Sequence, residues 1–237
     1  MPAIKACLID VYDTILTSSY AERAAALAQE SGIPLAQWSA AWLALGRERD
    51  DGTATMAGAF ARTLSACGRD PDPALVGRLV ALDAELLVSR TSVCPDTVPF
   101  LEAVRADGIR VALVSNCAPN TRPMLAAKGL LDLADAAILS CEVGVAKPAP
   151  QIYQVALTEL GVLAAEAIFL DDQPRFCEGA QAVGIRAIQV VRHSVAGHSV
   201  AGHSVAGHSV AGHHVAGRPA DPRFSPVTSL ADVPSLR

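Results

Sequence analysis

The sequence lacks a long hydrophobic run, a block of basic residues and a CxxC pair, and each absence excludes a class of protein. No apolar stretch approaches the roughly 18 residues of a membrane-spanning helix, so we expect no membrane partner. The 19 basic and 24 acidic residues give a net charge of -5 without a basic cluster, which argues against a nucleic-acid partner. Any anionic ligand is therefore expected to be small.

The cysteines and the first residues of the chain both favour a reducing compartment. The six cysteines are spread along the chain without the spacing of a metal or redox motif. The opening residues, MPAIKACLID, lack the charged, apolar and small-residue order of a signal peptide. We therefore expect a cytoplasmic globular protein, in which 51% hydrophobic residues are ample for a buried core.

Histidine is absent from the sequence outside one tandem repeat. Residues 193–217 repeat HSVAG four times and HHVAG once, and they hold all six histidines. In a helix a five-residue period rotates successive histidines by about 140°, and in a strand it alternates them between faces. The repeat therefore predicts a flexible inserted loop, with adventitious binding of transition metals as the alternative.

Short apolar runs alternate with helix-like segments along most of the chain. This alternation predicts an α/β fold with a doubly wound parallel sheet. The predicted strands are residues 3–9, 109–114, 136–139, 167–170 and 185–191. Residues 225–232 are predicted to form a last edge strand or a short helix that closes the domain.

Residues 18–92 show no strand pattern and are predicted to form an all-helical insertion. The predicted helices are residues 20–30, 35–48, 53–66 and 73–88. The insertion leaves the sheet after the first strand and returns before the second, so we expect it to cover the carboxyl ends of the strands as a lid. Residues 1–17 and 93–237 then form the core domain, with the repeat inserted in it.

Polar residues follow the predicted strands at the edge where open α/β sheets bind ligands. A carboxylate, a hydroxyl, a lysine and an acidic pair at this edge could together bind an oxyanion and a divalent cation. In chain order these residues form four short motifs. The motifs are Asp10 with Thr14, Ser115, Lys147 with Pro148, and Asp171 with Asp172.

These motifs, in this order, resemble those of the haloacid dehalogenase-like (HAD) hydrolase superfamily. The resemblance covers about residues 4–192 and 218–237 and leaves out the repeat. It implies a Rossmann-like doubly wound parallel sheet. It also implies that residues 18–92 are the helical cap of the subclass whose cap lies between the first and second motifs.

The resemblance implies catalytic and substrate-binding roles for five residues. Asp10 is expected to attack the substrate and form a covalent aspartyl intermediate. Ser115 and Lys147 are expected to hold the oxygens of the transferred group, with Thr14 and Asn116 as further substrate-binding residues. For Asn116, hydrogen bonding to the backbone of its own turn is an equal alternative to substrate binding. The charge of Lys147 would also offset the repulsion between an anionic substrate and Asp10.

The resemblance implies a Mg2+ site as well. Its expected ligands are the carboxylate of Asp10, the main-chain carbonyl of Tyr12 and the carboxylate of Asp172. Alignment of the preceding strand puts Asp171 one residue before the ligand position. We therefore expect Asp171 to hydrogen bond to the metal ligands or to Lys147, and not to bind the metal directly.

Tyr12 departs from the pattern of the family phosphatases, which usually have an aspartate at this position. That aspartate protonates the leaving group and later activates water, whereas a phenol with a pKa of about 10 is a poor base. A tyrosine here is similar to the 2-haloacid dehalogenases, whose halide leaving group needs no proton. Tyr12 therefore favours either slow phosphatase turnover or dehalogenation.

Three mismatches with the family pattern argue against a dehalogenase. Dehalogenases typically have serine and asparagine in the segment where this chain has Asp171, Asp172 and Gln173. Their water-orienting aspartate aligns with Phe176, and their cap arginine aligns with Leu43, with Arg47 one turn later as the alternative source of that arginine.

The sequence thus predicts a Mg2+-dependent phosphatase that acts on a small phosphorylated metabolite through a covalent aspartyl-phosphate. A metal-free 2-haloacid dehalogenase and a weakly active or inactive phospho-ligand binding module are the alternatives. The sequence leaves the oligomeric state open.

Overall fold

The computed structural model describes residues 2–192 and 220–234, and in this part of the chain seven strands form two sheets. The strands are β1 Ala6–Ile9, β2 Leu16–Ser18, β3 Thr91–Val93, β4 Arg110–Ser115, β5 Ala136–Leu139, β6 Ala167–Asp171 and β7 Arg186–Gln189. The larger sheet has the order β5-β4-β1-β6-β7, and all of its strand pairs are parallel. The chain builds outward from β1 in both directions, so the predicted α/β, doubly wound parallel sheet is confirmed.

Ten α-helices accompany these strands in the described residues. Five lie between β2 and β3, and we call them the helical insertion: α1 Tyr20–Ser31, α2 Leu35–Ala44, α3 Gly46–Asp50, α4 Met56–Ala66 and α5 Pro73–Ser89. The other five are α6 Thr97–Ala106, α7 Thr121–Ala127, α8 Ser140–Val143, α9 Pro150–Leu160 and α10 Pro174–Ala182.

The central residues of the strands in the larger sheet are apolar because both faces of the sheet are buried. On one face Ile9 and Leu113 pack with residues of α6 and α7. On the other face Leu8 and Phe169 pack with residues of α9 and α10. Alternate residues of each strand therefore belong to two different hydrophobic clusters, and the sheet is held rigidly between two helical layers.

The helical insertion has a hydrophobic cluster of its own. Trp38, Trp42 and Phe60 stack at its centre, with ring centroids 4.9 Å apart for Trp42 and Phe60. Two of its helices have a side-chain N-cap: the Thr55 side chain accepts a hydrogen bond from the amide of Gly58 at the start of α4, and the Asp72 side chain accepts one from the amide of Leu75 at the start of α5. The insertion thus has the packing of a small helical unit.

The predicted helix at residues 35–48 is wrong in one respect, because the structure divides it at Leu45 into α2 and α3. The break lets Arg49 turn back toward α2. Its guanidinium donates a hydrogen bond to the Trp42 carbonyl at 2.9 Å and lies 3.8 Å from the centre of the Trp42 ring. Gly46, a poor helix former, directly follows the break.

Strands β2 and β3 pair as a short antiparallel ribbon that the sequence pattern does not predict. Leu16 lies opposite Val93 and Ser18 lies opposite Thr91. The three-residue strands are too short for a recognisable alternation of apolar and polar residues. The ribbon brings together the two points at which the chain enters and leaves the helical insertion.

The C-terminal segment packs beside β7. Val227 forms a bridge with Val190, and short 3-10 turns at Pro222–Phe224 and Leu230–Asp232 flank it. This segment therefore combines features of the predicted edge strand and the predicted short helix. The predicted loop at residues 193–217 lies outside the described residues. Of the helices that the structure describes, none is both long and apolar enough to span a membrane.

Candidate active site

Parallel pairing brings the polar strand ends to one edge of the sheet. β1 pairs with both β4 and β6, so that Ile9 lies beside Leu113 and Leu170. Asp10 follows β1, while Ser115 and Asp171 are the last residues of β4 and β6. The four motifs found in the sequence therefore meet at the carboxyl edge of the central strands.

Lys147 lies between two carboxylates at the centre of this edge. Its Nζ is 2.5 Å from Oδ1 of Asp10 and 2.7 Å from Oδ2 of Asp171, and its side chain is fully buried. The rings of Phe176 and Phe169 cover the ammonium at 4.8 and 5.4 Å from their centroids. A buried lysine in this position depends on both carboxylates, because removal of either leaves uncompensated charge.

The electrostatics of the site favour an additional cation. Burial raises the pKa of Asp10, and repulsion from Asp171 adds to this, whereas Lys147 opposes it. Burial also opposes the charged form of Lys147, but attraction to Asp10 and Asp171 outweighs it and raises the lysine pKa. Asp172 adds a third carboxyl group beside Asp10 and Asp171, and a cation bound among them would stabilise their charged forms.

The turn after β1 fixes the second oxygen of Asp10. The Thr14 hydroxyl donates to Oδ2 of Asp10 at 3.0 Å. The turn is closed by backbone hydrogen bonds from Leu16 to Val11 and from Asp13 to Leu16, and Asp13 has a positive φ of 62°. This left-handed residue turns the chain back so that the Thr14 side chain reaches the carboxylate.

Tyr12 has its side chain hydrogen bonded to a core helix. Its hydroxyl is 3.0 Å from Oγ1 of Thr121 in α7, and the partly buried ring packs against the hydrophobic cluster on that face of the sheet. Burial is the main cause that raises the pKa of the Tyr12 phenol. The phenol is therefore protonated at neutral pH and is unsuited to act as a base.

Asn116 anchors the main chain of Lys147. Its Oδ1 accepts a hydrogen bond from the Lys147 amide at 2.7 Å, and its Nδ2 donates to the Lys147 carbonyl at 2.9 Å. The geometry favours the positioning role for Asn116 over direct substrate binding, because both polar groups are already used. Ser115 is fully buried, and among the described residues it has no hydrogen bond to Asp10 or Lys147.

The two adjacent aspartates have different surroundings. Asp171 uses both carboxylate oxygens, since Oδ1 accepts from the Gln173 amide at 2.7 Å and Oδ2 binds Lys147. Asp172 is held through its main chain, where its carbonyl accepts from Nε2 of Gln189 at 3.0 Å.

Asp10, Asp171 and Asp172 each offer a carboxylate oxygen, and these atoms lie within 4.8 Å of one another. Carboxylate oxygens are hard ligands of the type that Mg2+ prefers. All three carboxylates are therefore members of one candidate cation site.

Gly179 in α10 packs closely against Pro148, the residue after Lys147, and the sequence motifs do not include it. A Cβ at residue 179 would lie 2.9 Å from the Pro148 carbonyl oxygen and 2.8 Å from the Tyr153 hydroxyl. That hydroxyl donates to the Phe176 carbonyl at 2.7 Å. A glycine inside a helix was the available signal, because it is unfavourable there unless another group packs closely against it.

The helical insertion contacts the sheet domain beside these motifs. Gly52 has a φ of +72°, and a Cβ there would lie 1.9 Å from the Cys141 carbonyl oxygen at the start of α8. On α5, Asp83 accepts a hydrogen bond from Asn120 at 2.5 Å, directly before α7. The insertion therefore packs against the segments that directly follow β4 and β5.

A family model described as haloacid dehalogenase-like hydrolase matches residues 4–184 of this chain. Phosphatase MT3486 from Mycobacterium tuberculosis is 37% identical over 100 residues, which are 41% of this chain and 46% of that protein. The chain matches about half of the length of its first phosphatase relatives.

The chain is also similar to a dehalogenase and to a solved structure. (S)-2-haloacid dehalogenase 1 from a Pseudomonas species is 28% identical over 207 residues, which cover 81% of this chain and 86% of that protein. The crystal structure of the HAD family enzyme BT-2542 from Bacteroides thetaiotaomicron has a TM-score of 0.66 at 20% identity. It covers 80% of this chain and 94% of its own, and it shares the fold.

Proposed function

We propose that this chain, which belongs to the haloacid dehalogenase-like hydrolase family and is thus a hydrolase, is a Mg2+-dependent phosphatase of small phosphorylated metabolites. The buried acidic pair Asp171 and Asp172 carries the proposal. Asp171 neutralises Lys147, and Asp172 adds a second carboxylate beside Asp10. An acidic site of this kind suits a metal-bound phosphate far better than an organic halide.

In the proposed reaction, Asp10 attacks the phosphorus atom of the substrate. A bond forms between a carboxylate oxygen and phosphorus while the bond from phosphorus to the leaving oxygen breaks. Water then attacks the phosphorus of the aspartyl-phosphate, which releases inorganic phosphate and regenerates Asp10. Lys147 lowers the repulsion between Asp10 and the phosphate oxygens in the first step and stabilises the negative charge that returns to Asp10 in the second.

Asp10, the Tyr12 carbonyl and Asp172 would hold the Mg2+ ion. When bound, the ion supplies positive charge that neutralises the phosphate oxygens. Thr14 and Lys147 keep the two carboxylate oxygens of Asp10 in place, so the nucleophile is oriented before the substrate binds. Ser115 is the proposed phosphate-binding hydroxyl, and Asn116 keeps the Lys147 main chain in register.

Tyr12 sets the expected substrate preference. The protonated phenol of Tyr12 takes the place of the carboxylate that would donate a proton to the leaving oxygen. Substrates whose leaving group departs without protonation, such as acyl phosphates and aryl phosphates, should therefore react faster than alkyl phosphates.

Dehalogenation of a 2-haloacid is the second candidate function. Tyr12 and the long match to (S)-2-haloacid dehalogenase 1 favour it. The acidic pair argues against it, and Phe176, which packs on Lys147, offers no carboxylate to orient water. The nearby Arg47 does not replace the arginine missing at Leu43, because its side chain is 86% exposed.

One set of assays separates these functions. We would test p-nitrophenyl phosphate, acetyl phosphate and 2-chloropropionate, each with Mg2+ or with EDTA, on the wild type and on Asp10→Asn. Phosphate release that EDTA abolishes and that falls by about 10^4-fold in Asp10→Asn is the expected result. The matched control is Asp70→Asn, an exposed aspartate of the helical insertion, which should keep full activity.

Two results would count against the phosphatase. Chloride release that does not need metal would instead identify a dehalogenase. Absence of turnover on all three substrates would favour a phospho-ligand binding module.

A further inference from the structure

Arg192, which follows β7, extends back to the turn that carries the nucleophile. Its Nε and Nη2 both donate to the main-chain carbonyl of Thr14, at 2.9 and 2.6 Å. In the part of the chain that the structure describes, no other group donates to this buried carbonyl. Since buried carbonyls need a partner, the position of the turn depends on this guanidinium.

The Arg192 side chain is itself fixed by Asp96. Nη1 of Arg192 donates to Oδ2 of Asp96 at 2.6 Å, and the side chains are 15% and 19% exposed. The same Asp96 oxygen accepts from the Ser229 hydroxyl at 2.7 Å and from the Leu230 amide at 2.8 Å. Asp96, just before α6, thus joins Arg192 to the C-terminal segment.

Thr14 connects this cluster to the reacting carboxylate. Its carbonyl faces Arg192, while its hydroxyl donates to Oδ2 of Asp10 at 3.0 Å. A displacement of the Thr14 main chain would therefore move the hydroxyl that orients Asp10. The contacts run without interruption from Asp96 through Arg192 and Thr14 to Asp10.

We infer that Arg192 is a positioning residue for the nucleophile Asp10 and that it acts through Thr14. The inference rests on the proposed function, in which Asp10 attacks the substrate. Arg192 does not touch the reacting atoms, so its loss should lower kcat and leave KM almost unchanged. Misplacement of a nucleophile by about 1 Å lowers the rate by about 100-fold, which sets the scale of the effect.

The test compares five variants with the wild type: Arg192→Gln, Arg192→Lys, Thr14→Val, the double variant Arg192→Gln with Thr14→Val, and Arg223→Gln. The last is a matched control, because Arg223 lies in the C-terminal segment, binds the acidic residues Asp221 and Glu178, and makes no contact with Thr14. Kinetics on acetyl phosphate with Mg2+ give kcat and KM. Hydrogen exchange gives the protection of the backbone amides of residues 10–16.

We expect Arg192→Gln to lower kcat by about 10- to 100-fold, to change KM by less than about 2-fold and to speed exchange in residues 10–16. In the Thr14→Val background, Arg192→Gln should cause almost no further loss, because the connection to Asp10 is already broken. Arg192→Lys, which keeps a charged donor, should recover part of the activity. Arg223→Gln should behave like the wild type.

Two results would overturn the inference while the proposed function stands: an unchanged kcat in Arg192→Gln, or equal losses in the Thr14 and Thr14→Val backgrounds. If the wild type does not release phosphate, the proposed function fails and hydrogen exchange decides the positioning role. Exchange in residues 10–16 that is the same in Arg192→Gln and Arg223→Gln would then refute it.

Discussion

Asp10 is restrained through both oxygens of its carboxylate, by Lys147 on one side and by Thr14 on the other. Its neighbour Asp171 also has both oxygens engaged, and the carboxylates of Asp10, Asp171 and Asp172 all belong to the candidate cation cluster. Asp171 and Asp172 look alike in the sequence, and the structure shows an ion pair from Asp171 to the buried Lys147. Two predictions concern individual residues of this site.

Replacement of Tyr12 by aspartate should raise phosphatase activity. An aspartate at this position could protonate the leaving oxygen and later activate water, and general acid–base catalysis contributes about 10^2- to 10^4-fold. We expect a gain in kcat that is larger for alkyl phosphates than for p-nitrophenyl phosphate. Tyr12→Phe serves as the control, because it removes the hydrogen bond to Thr121 without adding a carboxylate. Equal activity in both variants would contradict the proposed effect of Tyr12.

Asparagine substitutions should separate the functions of Asp171 and Asp172. Asp171→Asn leaves Lys147 with one carboxylate in a fully buried site, so the free energy of unfolding should fall by about 3–5 kcal/mol. Asp172→Asn should instead raise the Mg2+ concentration needed for half-maximal activity, with a smaller effect on stability. Urea denaturation and Mg2+ titration measure the two quantities. The reverse pattern would exchange the two roles.

At the scale of elements, the sequence was sufficient to predict those strands and helices whose structure is determined by a local pattern of residues. Strands β1 and β6 are short apolar runs because both sheet faces are buried, so their polar ends could be located without a structure. The contact between Arg192 and Thr14 could not be predicted from the sequence, because it joins residues 178 positions apart and no local pattern indicates it. Likewise, the sequence does not show why residue 179 is a glycine. The reason is the close packing of α10 against Pro148, which leaves no room for a Cβ.

Gly179→Ala should disturb the site through the loop that carries Lys147. The added Cβ would be too close to Pro148 and Tyr153, so we expect a loss of about 1–3 kcal/mol in unfolding free energy together with a lower kcat. The matched control is Gly77→Ala in α5, where a Cβ meets nothing within 4 Å. That variant should gain about 0.5–1 kcal/mol of stability. Similar stabilities for the two variants would refute the close packing of α10.

At the scale of the whole molecule, Asp96 links distant parts of the chain. It precedes α6, binds Arg192 after β7 and holds Ser229 and Leu230 of the C-terminal segment. Burial opposes its charged form, but hydrogen bonds from these groups lower the pKa of Asp96 to about 2. The carboxylate is therefore ionised over the whole range in which the protein is expected to work.

The lowered pKa of Asp96 predicts how its contribution to stability changes with pH. A carboxylate with a depressed folded-state pKa stabilises the fold fully above its unfolded pKa of about 3.9, and this contribution disappears as the pH falls toward the folded value. The difference in unfolding free energy between the wild type and Asp96→Asn should thus be constant above about pH 5 and shrink below about pH 4. Urea denaturation over this range measures it. A difference that grows on acidification would contradict the ion pair.

The most direct test of the proposed chemistry follows labelled oxygen through a single turnover. Wild-type protein would react with acetyl phosphate and Mg2+ in water that contains heavy oxygen, with mass spectrometry of both the peptide that contains Asp10 and the released phosphate. The phosphatase mechanism predicts a transient phosphoryl group on Asp10 and heavy oxygen in the phosphate, because water attacks phosphorus. Phosphate release without an adduct on Asp10 would contradict it, as would heavy oxygen in the Asp10 carboxylate, which indicates attack of water at the carboxyl carbon.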